Sequence, residues 1–300
     1  VSTAACNQGF GIAIRGTPMQ GDMARSSAEA FLPRKHRLGS YATWWGTYGR
    51  RLANSVRHDV RQRYAGSHLG VVWAILYPLA LLCFYAGIYV FVFKVRVPNL
   101  QTEHYTILVM TGLSAVIMSS ESLTSGIASL SNQKGLLLNT VFPAELLAPR
   151  AVLASQVPSL AALVLTVVAA IIAGAASPAA LIVVPVTWLL LIMFMMGLAW
   201  IFSLVSLLVR DISHAVGIVN MAVMILSPMA FTPEMIPDGL RFMLWFNPMS
   251  YFILCLQAPI ALGVWPSPVA MVGAAVLGIG MFFLGRFFFR RARFVFVEYM

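Results

Sequence analysis

One apolar stretch, residues 136–153 (LLLNTVFPAELLAPRAVL), contains two charged residues of opposite sign. They are Glu145 and Arg150, and Pro143 and Pro149 bracket the carboxylate. Proline punctuates helices because it lacks a backbone N–H and clashes with the preceding turn. The pattern therefore predicts a short helix in which Glu145, near the N-terminus, complements the helix dipole and offers a carboxylate to a basic partner residue. The alternative is a connecting loop, which would carry more polar residues.

A stripe of aromatic side chains could hold a ligand by stacking. On a helical wheel of residues 70–93, six aromatic residues fall within about 160°. They are Trp73, Tyr77, Phe84, Tyr85, Tyr89 and Phe91, which we call the aromatic stripe. The opposite side carries Ile75, Leu79, Leu82, Ala86 and Val90. Tyrosine hydroxyls in the middle of an apolar helix need hydrogen-bond partners, so the stripe indicates a functional surface, with helix packing as the alternative.

Glu121 is an acidic residue in the apolar stretch 105–129. An ionisable group in such a segment usually faces a helix bundle or water and finds a partner. A structural hydrogen bond and a proton relay are both open, and we favour the hydrogen bond.

The sequence patterns typical of several kinds of chemistry are absent. The three cysteines are scattered and the five histidines are isolated, so no disulfide framework or metal-ligand spacing is visible. The chain has no Gly-Lys pair, which excludes a Walker A phosphate loop. We therefore predict no catalytic residues, no metal and no cofactor in this chain.

Membrane-spanning helices must position these residues. Hydrophobic residues make up 60% of the 300 and charged residues 10%, against about a quarter charged in soluble domains. Stretches long enough to cross a bilayer recur along the chain. We predict an all-α membrane protein with six spans, at about 70–93, 105–129, 150–174, 180–208, 212–231 and 268–289.

The basic residues predict the orientation of these spans. Half of the Lys and Arg residues precede residue 70, and four arginines follow position 285. An even number of spans then places both ends in the cytoplasm. We attribute the net charge of +10 to this topology and not to nucleic-acid binding. We expect a disordered cytoplasmic tail at 1–40 without a cleaved signal peptide, a transmembrane domain at 70–289 and a second cytoplasmic tail at 290–300.

Residues 41–66 are predicted to form an amphipathic helix at the membrane interface. One face carries Trp45, Tyr48, Leu52, Val56 and Val60, and the opposite face carries Arg50, Arg57, His58 and Arg61. Such a helix suits the headgroup boundary, with packing on a soluble partner as the alternative. Asp59 and Arg63 are spaced to form an ion pair within the apolar arc.

Residues 228–268 are rich in proline, and their apolar pieces at about 240–246 and 250–262 are too short to span. Asn247 and Pro248 mark a turn between the pieces. We predict two short re-entrant or interfacial helices on the outer side, since backbone at that depth must be buried in protein or line a cavity.

In their order, four stretches resemble one family: the permease subunits of ABC-2 type ABC exporters, in the branch that exports polysaccharides such as O-antigen, teichoic acid, capsule and galactan. The stretches are 57–79 (RHDVRQRYAGSHLGVVWAILYPL), 141–152 (VFPAELLAPRAV), 210–231 (RDISHAVGIVNMAVMILSPMAF) and 236–253 (IPDGLRFMLWFNPMSYFI). The likeness runs from about residue 41 to the end.

The resemblance implies a homodimer in the bacterial inner membrane, with a separate P-loop ATPase bound to each half that holds ATP and Mg²⁺. It implies that Phe142, Pro143, Glu145 and Arg150 belong to the element that couples to the ATPase. Arg57, Asp59, Arg61, Arg63 and Tyr64 fall in the interface helix of the family. Asn247 and Pro248 fall in its outer gate. The aromatic stripe then suits a glycan channel, because sugar rings have apolar C–H faces and a rim of hydroxyls.

Three functions remain open at this point. The first is the membrane half of an ATP-driven exporter of a lipid-linked polysaccharide. The second is the same architecture exporting a drug or a smaller lipid. The third is a membrane-embedded acyl or glycosyl transferase, although Glu121 alone in the spans offers too few acids for acid–base work on a sugar.

Overall fold

The computed structural model describes residues 41–88, 91, 101–132, 144–209, 211–231, 236–237, 239 and 242–296, and side chains between 49 and 292 in those ranges. Backbone contacts divide the chain into units 1–47 and 48–300, and the first is described here only as the start of a helix at Tyr41. The predicted disordered tail at 1–40 lies outside the described residues. Helices and turns make up these ranges, which contain no strand. The predicted all-α class is confirmed.

Nine α-helices occur in the described ranges, and we number them in chain order. They are α1 (Tyr41–Arg63), α2 (Trp73–Gly87), α3 (Thr102–Ile127), α4 (Leu147–Ile172), α5 (Ala180–Leu208), α6 (Ile212–Ile225), α7 (Phe242–Phe246), α8 (Pro248–Ala261) and α9 (Pro268–Phe296). Single 3₁₀ turns, Gly70–Val72 and Ala144–Leu146, run directly into α2 and α4.

Five of these segments are long and apolar enough to cross a membrane: Gly70–Gly87, Thr102–Ile127, Ala144–Ile172, Ala180–Leu208 and Pro268–Ala292. They correspond to the predicted first, second, third, fourth and sixth spans.

The predicted fifth span, 212–231, differs from the observed helix. Its helix α6 ends at Ile225 after 14 residues. That is about 21 Å of helix, shorter than the ~30 Å hydrocarbon core. The described chain therefore has five helices of spanning length, and the count of six spans stays a prediction.

Close packing of α5 against α9 forms one side of the bundle. A Cβ at Gly197 would collide with the backbone of Met281, and a Cβ at Gly285 would collide with the backbone of Gly197. Because Gly278 approaches Leu190 in the same way, contacts advance together along the two helices, which run parallel. Small residues allow such close contact between membrane helices.

Helix α2 is the least buried of the five long segments. Its buried residues are Ala74, Pro78 and Leu82, which lie on one side of the helix. Leu82 packs in a small cluster with Leu113 of α3 and Ala162 of α4. The rest of the α2 surface is available to lipid, to a partner or to a ligand.

Candidate functional site

The end of the bundle where α3 finishes and α4 begins gathers most of the charged residues that the sequence singles out. Asp59 of α1 receives two hydrogen bonds from the guanidinium of Arg150, in the first turn of α4. The side chains are 15% and 8% exposed. This ion pair fastens α1 to the start of α4. The Asp59–Arg63 pair that the spacing predicts does not form, because Asp59 turns toward the bundle.

The other predicted residues of the interface helix lie around this pair. Arg57 and Arg61 are exposed, whereas Leu52 is buried. Arg63 donates a hydrogen bond to Ser125 Oγ at 3.2 Å, which links the last residue of α1 to the last turn of α3. Tyr64 is half-buried, and burial, followed by the nearby Glu121 carboxylate, raises its pKa above the ordinary tyrosine value.

The predicted coupling element is described from Ala144 onward, so Phe142 and Pro143 lie outside the described residues. Glu145 is half-buried in the 3₁₀ turn, and its carbonyl accepts a hydrogen bond of 3.0 Å from the indole N–H of Trp200. Pro149 was predicted to end a short helix, but it lies in the first turn of α4, which continues without a break. Proline is tolerated there because the first N–H groups of a helix have no partner within it.

Arg150 was expected to lie in the surface that docks on the ATPase, but the structure places it in the interior. Its side chain is buried against Asp59 and is not available to a partner protein. Glu145, in contrast, has a partly exposed side chain, so among the described residues of the coupling element it is the charged residue that a partner can reach.

A cleft of about 590 Å³ lies between the end of α1, the start of α2 and the second half of α3. We call it the Glu121 cleft, and its lining is Arg63, Tyr64, Ser67, Trp73, Tyr77, Ser120, Glu121, Thr124, Ser125 and Pro158. Glu121 accepts a hydrogen bond of 3.5 Å from Ser159 Oγ. Ser120 accepts one of 2.7 Å from the side-chain amide of Asn220 in α6. The cleft therefore combines one carboxylate, one guanidinium, aromatic rings and several hydroxyls.

The aromatic stripe is divided by the fold. Trp73, Tyr77, Phe84 and Phe91 are between 41% and 76% exposed, whereas Tyr85 is half-buried beside the Leu82 cluster. Tyr89 lies outside the described residues. The first two rings line the Glu121 cleft, so the cleft forms one end of the exposed stripe.

The predicted turn at Asn247 and Pro248 lies in a buried polar cluster. Asn247 caps α8 by accepting from the Met249 N–H at 2.9 Å. Its side-chain amide donates to Val223 O at 3.2 Å and to Ser227 Oγ at 3.0 Å. The start of α8 is thereby fixed against the C-terminal end of α6. Pro248 is the first residue of α8, where its missing N–H costs nothing.

Sequence reasoning missed Gln257 of α8 as a partner of the broken backbone after α6. Its amide donates to two carbonyls of this segment, Pro228 O at 2.9 Å and Met229 O at 3.4 Å, and to Leu108 O of α3 at 3.2 Å. Tyr105 adds a hydrogen bond of 3.0 Å to Ala230 O. Irregular backbone among apolar helices needs such partners. A lone glutamine in the apolar run 250–262 was the signal that could have revealed this role.

The sequence is similar to known proteins over about two thirds of its length. A family model described as "ABC-2 type transporter" matches residues 52–260. Two proteins named O-antigen export system permease protein RfbA, both from Klebsiella pneumoniae, are 27% identical over 197 residues, which cover 65% of this chain and 74% of each relative. A protein of the same name from Myxococcus xanthus is 25% identical over 209 residues, which cover 69% of this chain and 78% of the relative.

Proposed function

This chain belongs to the ABC-2 type transporter family, and we propose that it is the membrane subunit of an ATP-driven exporter of a lipid-linked polysaccharide. The cargo is a surface glycan of the O-antigen kind, moved from the cytoplasm across the inner membrane. The observation that carries the proposal is the likeness, over about two thirds of the chain, to proteins named O-antigen export permeases.

The exposed part of the aromatic stripe supports this choice of cargo. Trp73, Tyr77 and Phe84 present rings on the outside of α2, where aliphatic side chains would satisfy lipid equally well. Rings stack on the apolar faces of sugars without fixing a polymer at one position, as strongly charged sites would. A stripe of this kind suits a polymer that must slide past the helix.

We further propose that two copies of the chain assemble with two copies of a separate P-loop ATPase. Helix α2 exposes most of its surface and α6 exposes Ile218, Val219 and Met221, so both helices are available to a second copy. The partly exposed residues Ala144 and Glu145, in the turn that leads into α4, would dock on the ATPase. The Asp59–Arg150 pair gives that docking segment a fixed attachment to α1.

Depletion of the protein in its native cell tests the proposed cargo. We expect one surface glycan to disappear and its lipid-linked precursor to accumulate inside. Purification of the permease from cells that still produce it should recover a P-loop ATPase. A cell that retains all surface glycans but accumulates a drug or a small lipid would contradict the glycan proposal and leave the transporter family unchanged.

A further inference from the structure

We infer that the Glu121 cleft binds one neutral sugar unit of the exported glycan, and that Glu121 accepts hydrogen bonds from its hydroxyls. The inference rests on the proposed function. It deepens that function by assigning a carboxylate in α3, outside the aromatic stripe, to direct contact with the cargo and by stating which sugars the site accepts.

The position of the cleft suits this role. Arg63, Ser67, Trp73, Tyr77 and Thr124 are exposed along its walls, so the cleft is open at the surface. Its volume of about 590 Å³ falls within the range of roughly 300–1,000 Å³ that is usual for small-molecule sites. Because the first two rings of the aromatic stripe line it, a sugar bound here would lie at one end of that stripe.

The chemistry of the lining matches a sugar better than an acyl chain. Trp73 and Tyr77 offer rings for an apolar C–H face. Glu121 offers carboxylate oxygens, and Thr124 offers a hydroxyl, for the rim of the ring. An acyl chain would displace water from the Glu121 carboxylate and offer it no hydrogen-bond donor, which costs free energy.

The charge balance favours a neutral sugar over a phosphate or an acidic sugar. The lining has one cation, Arg63, and one carboxylate, Glu121. The Arg63 guanidinium donates to Ser125, and its charge is balanced by that of Glu121, so the lining has no net positive charge to attract an anion. An anionic ligand would meet the Glu121 carboxylate at close range, and like charges repel most strongly where water is scarce.

Glu121 retains acceptor capacity for such a ligand. Within the part of the chain that the structure describes, Glu121 accepts its hydrogen bond from Ser159 at 3.5 Å, the outer limit for such a bond. The same Ser159 hydroxyl is placed to donate to Ser155 O at 3.3 Å, and a hydroxyl has one proton to give. A carboxylate has about four lone-pair sites. Ser159 and the electrostatic attraction of the nearby Arg63 guanidinium therefore leave acceptor sites on the Glu121 carboxylate open to a ligand.

Photo-crosslinking in cells that make the glycan tests the inference. A photoreactive amino acid replaces Thr124, which is exposed in the cleft. The control position is Leu189, which is 57% exposed on α5 away from the cleft lining. We expect ultraviolet light to attach glycan to the protein at position 124 and not at 189, seen as a mass shift that a glycan-specific stain detects.

Variants of Glu121 and Ser159 separate ligand binding from a structural role. Glu121→Leu should lower capture at position 124 about tenfold, the effect of one lost hydrogen bond to a charged group. Glu121→Gln should lower it less, and Ser159→Ala should not lower it, since it frees the carboxylate. If the bond to Ser159 is the purpose of Glu121, Ser159→Ala and Glu121→Leu will instead reduce protein accumulation alike, and the inference is wrong.

The outcomes also separate this inference from the proposed function. Absence of glycan at position 124, in a cell whose surface glycan still depends on the protein, overturns the sugar site and leaves the exporter proposal intact. Unchanged capture in Glu121→Leu removes Glu121 from the site. If depletion affects no glycan, both proposals fail.

Discussion

Asp59 and Arg150 lie 91 residues apart in the chain and form an ion pair between α1 and the first turn of α4. With side chains 15% and 8% exposed, both charges are largely removed from water. A buried pair of this kind adds little net stability relative to apolar residues, but loss of one partner strands the other charge. The pair therefore fixes the position of α1 relative to α4. A displacement of the start of α4 would be transmitted to α1.

The first prediction concerns this ion pair. Asp59→Ala removes the carboxylate that pairs with the buried Arg150 guanidinium, so we expect a loss of about 3 kcal/mol in stability. A lower midpoint of thermal unfolding in detergent would show the loss. Arg57→Ala, at an exposed position of the same helix, is the control and should leave the midpoint unchanged. An unchanged midpoint in Asp59→Ala would mean that the pair does not hold α1 in place.

The second prediction concerns the coupling segment. Glu145→Arg reverses the charge of a partly exposed side chain in the proposed docking turn, so ATPase binding and export should both fall while the permease still assembles. Co-purification of the ATPase measures the effect. Glu103→Arg makes the same charge change at an exposed site in the first turn of α3, at its opposite end, and should have no effect. Normal binding and export in Glu145→Arg would exclude the docking role.

The third prediction distinguishes the residues of α2 that contact the cargo from those that pack α2 against the bundle. Tyr77→Leu and Phe84→Leu remove exposed rings, and each should reduce export about fivefold through the loss of about 1 kcal/mol of stacking. Protein accumulation should stay normal in both. Tyr85→Leu should instead lower stability, because Tyr85 packs beside Leu82.

Ile75→Leu, at another exposed position of α2, is the matched control for these variants. Surface glycan per molecule of permease is the quantity to measure. Equal export in all four variants would show that the exposed rings do not contact the cargo.

The fourth prediction concerns the broken backbone after α6. Gln257→Leu removes the donor for the carbonyls of Leu108, Pro228 and Met229, so we expect a loss of about 1–3 kcal/mol. Thermal unfolding and the rate of proteolysis should both report it. Gln101→Leu, at an exposed position before α3, serves as the control. If Gln257→Leu keeps the wild-type stability, these carbonyls do not depend on the glutamine.

The fifth prediction concerns orientation. In a background without the native cysteines, a cysteine replacing Val264, which is 53% exposed, should react with an impermeant maleimide added to intact spheroplasts. A cysteine replacing the exposed Ser131, just after α3, should react after the membrane is broken. The distribution of Lys and Arg requires this result. The reverse pattern would overturn the cytoplasmic assignment of both ends.

The sequence by itself determined the all-helical membrane class and most helix limits. The span predicted at 180–208 coincides with Ala180–Leu208, and the short pieces predicted at 240–246 and 250–262 correspond to Phe242–Phe246 and Pro248–Ala261. Apolar length and proline placement act within a few turns of the chain, so local sequence is enough to read them.

Only the tertiary structure decided which residues meet. The spacing in the sequence predicted Arg63, four residues away, as the partner of Asp59, whereas in the structure Asp59 pairs with Arg150. Helix α6 ends at Ile225, and the carbonyls of the broken backbone after it accept hydrogen bonds from Gln257 and Tyr105. These outcomes depend on the orientation of helices distant in the chain, and a helical wheel gives the face of a residue but not the neighbour that the face meets.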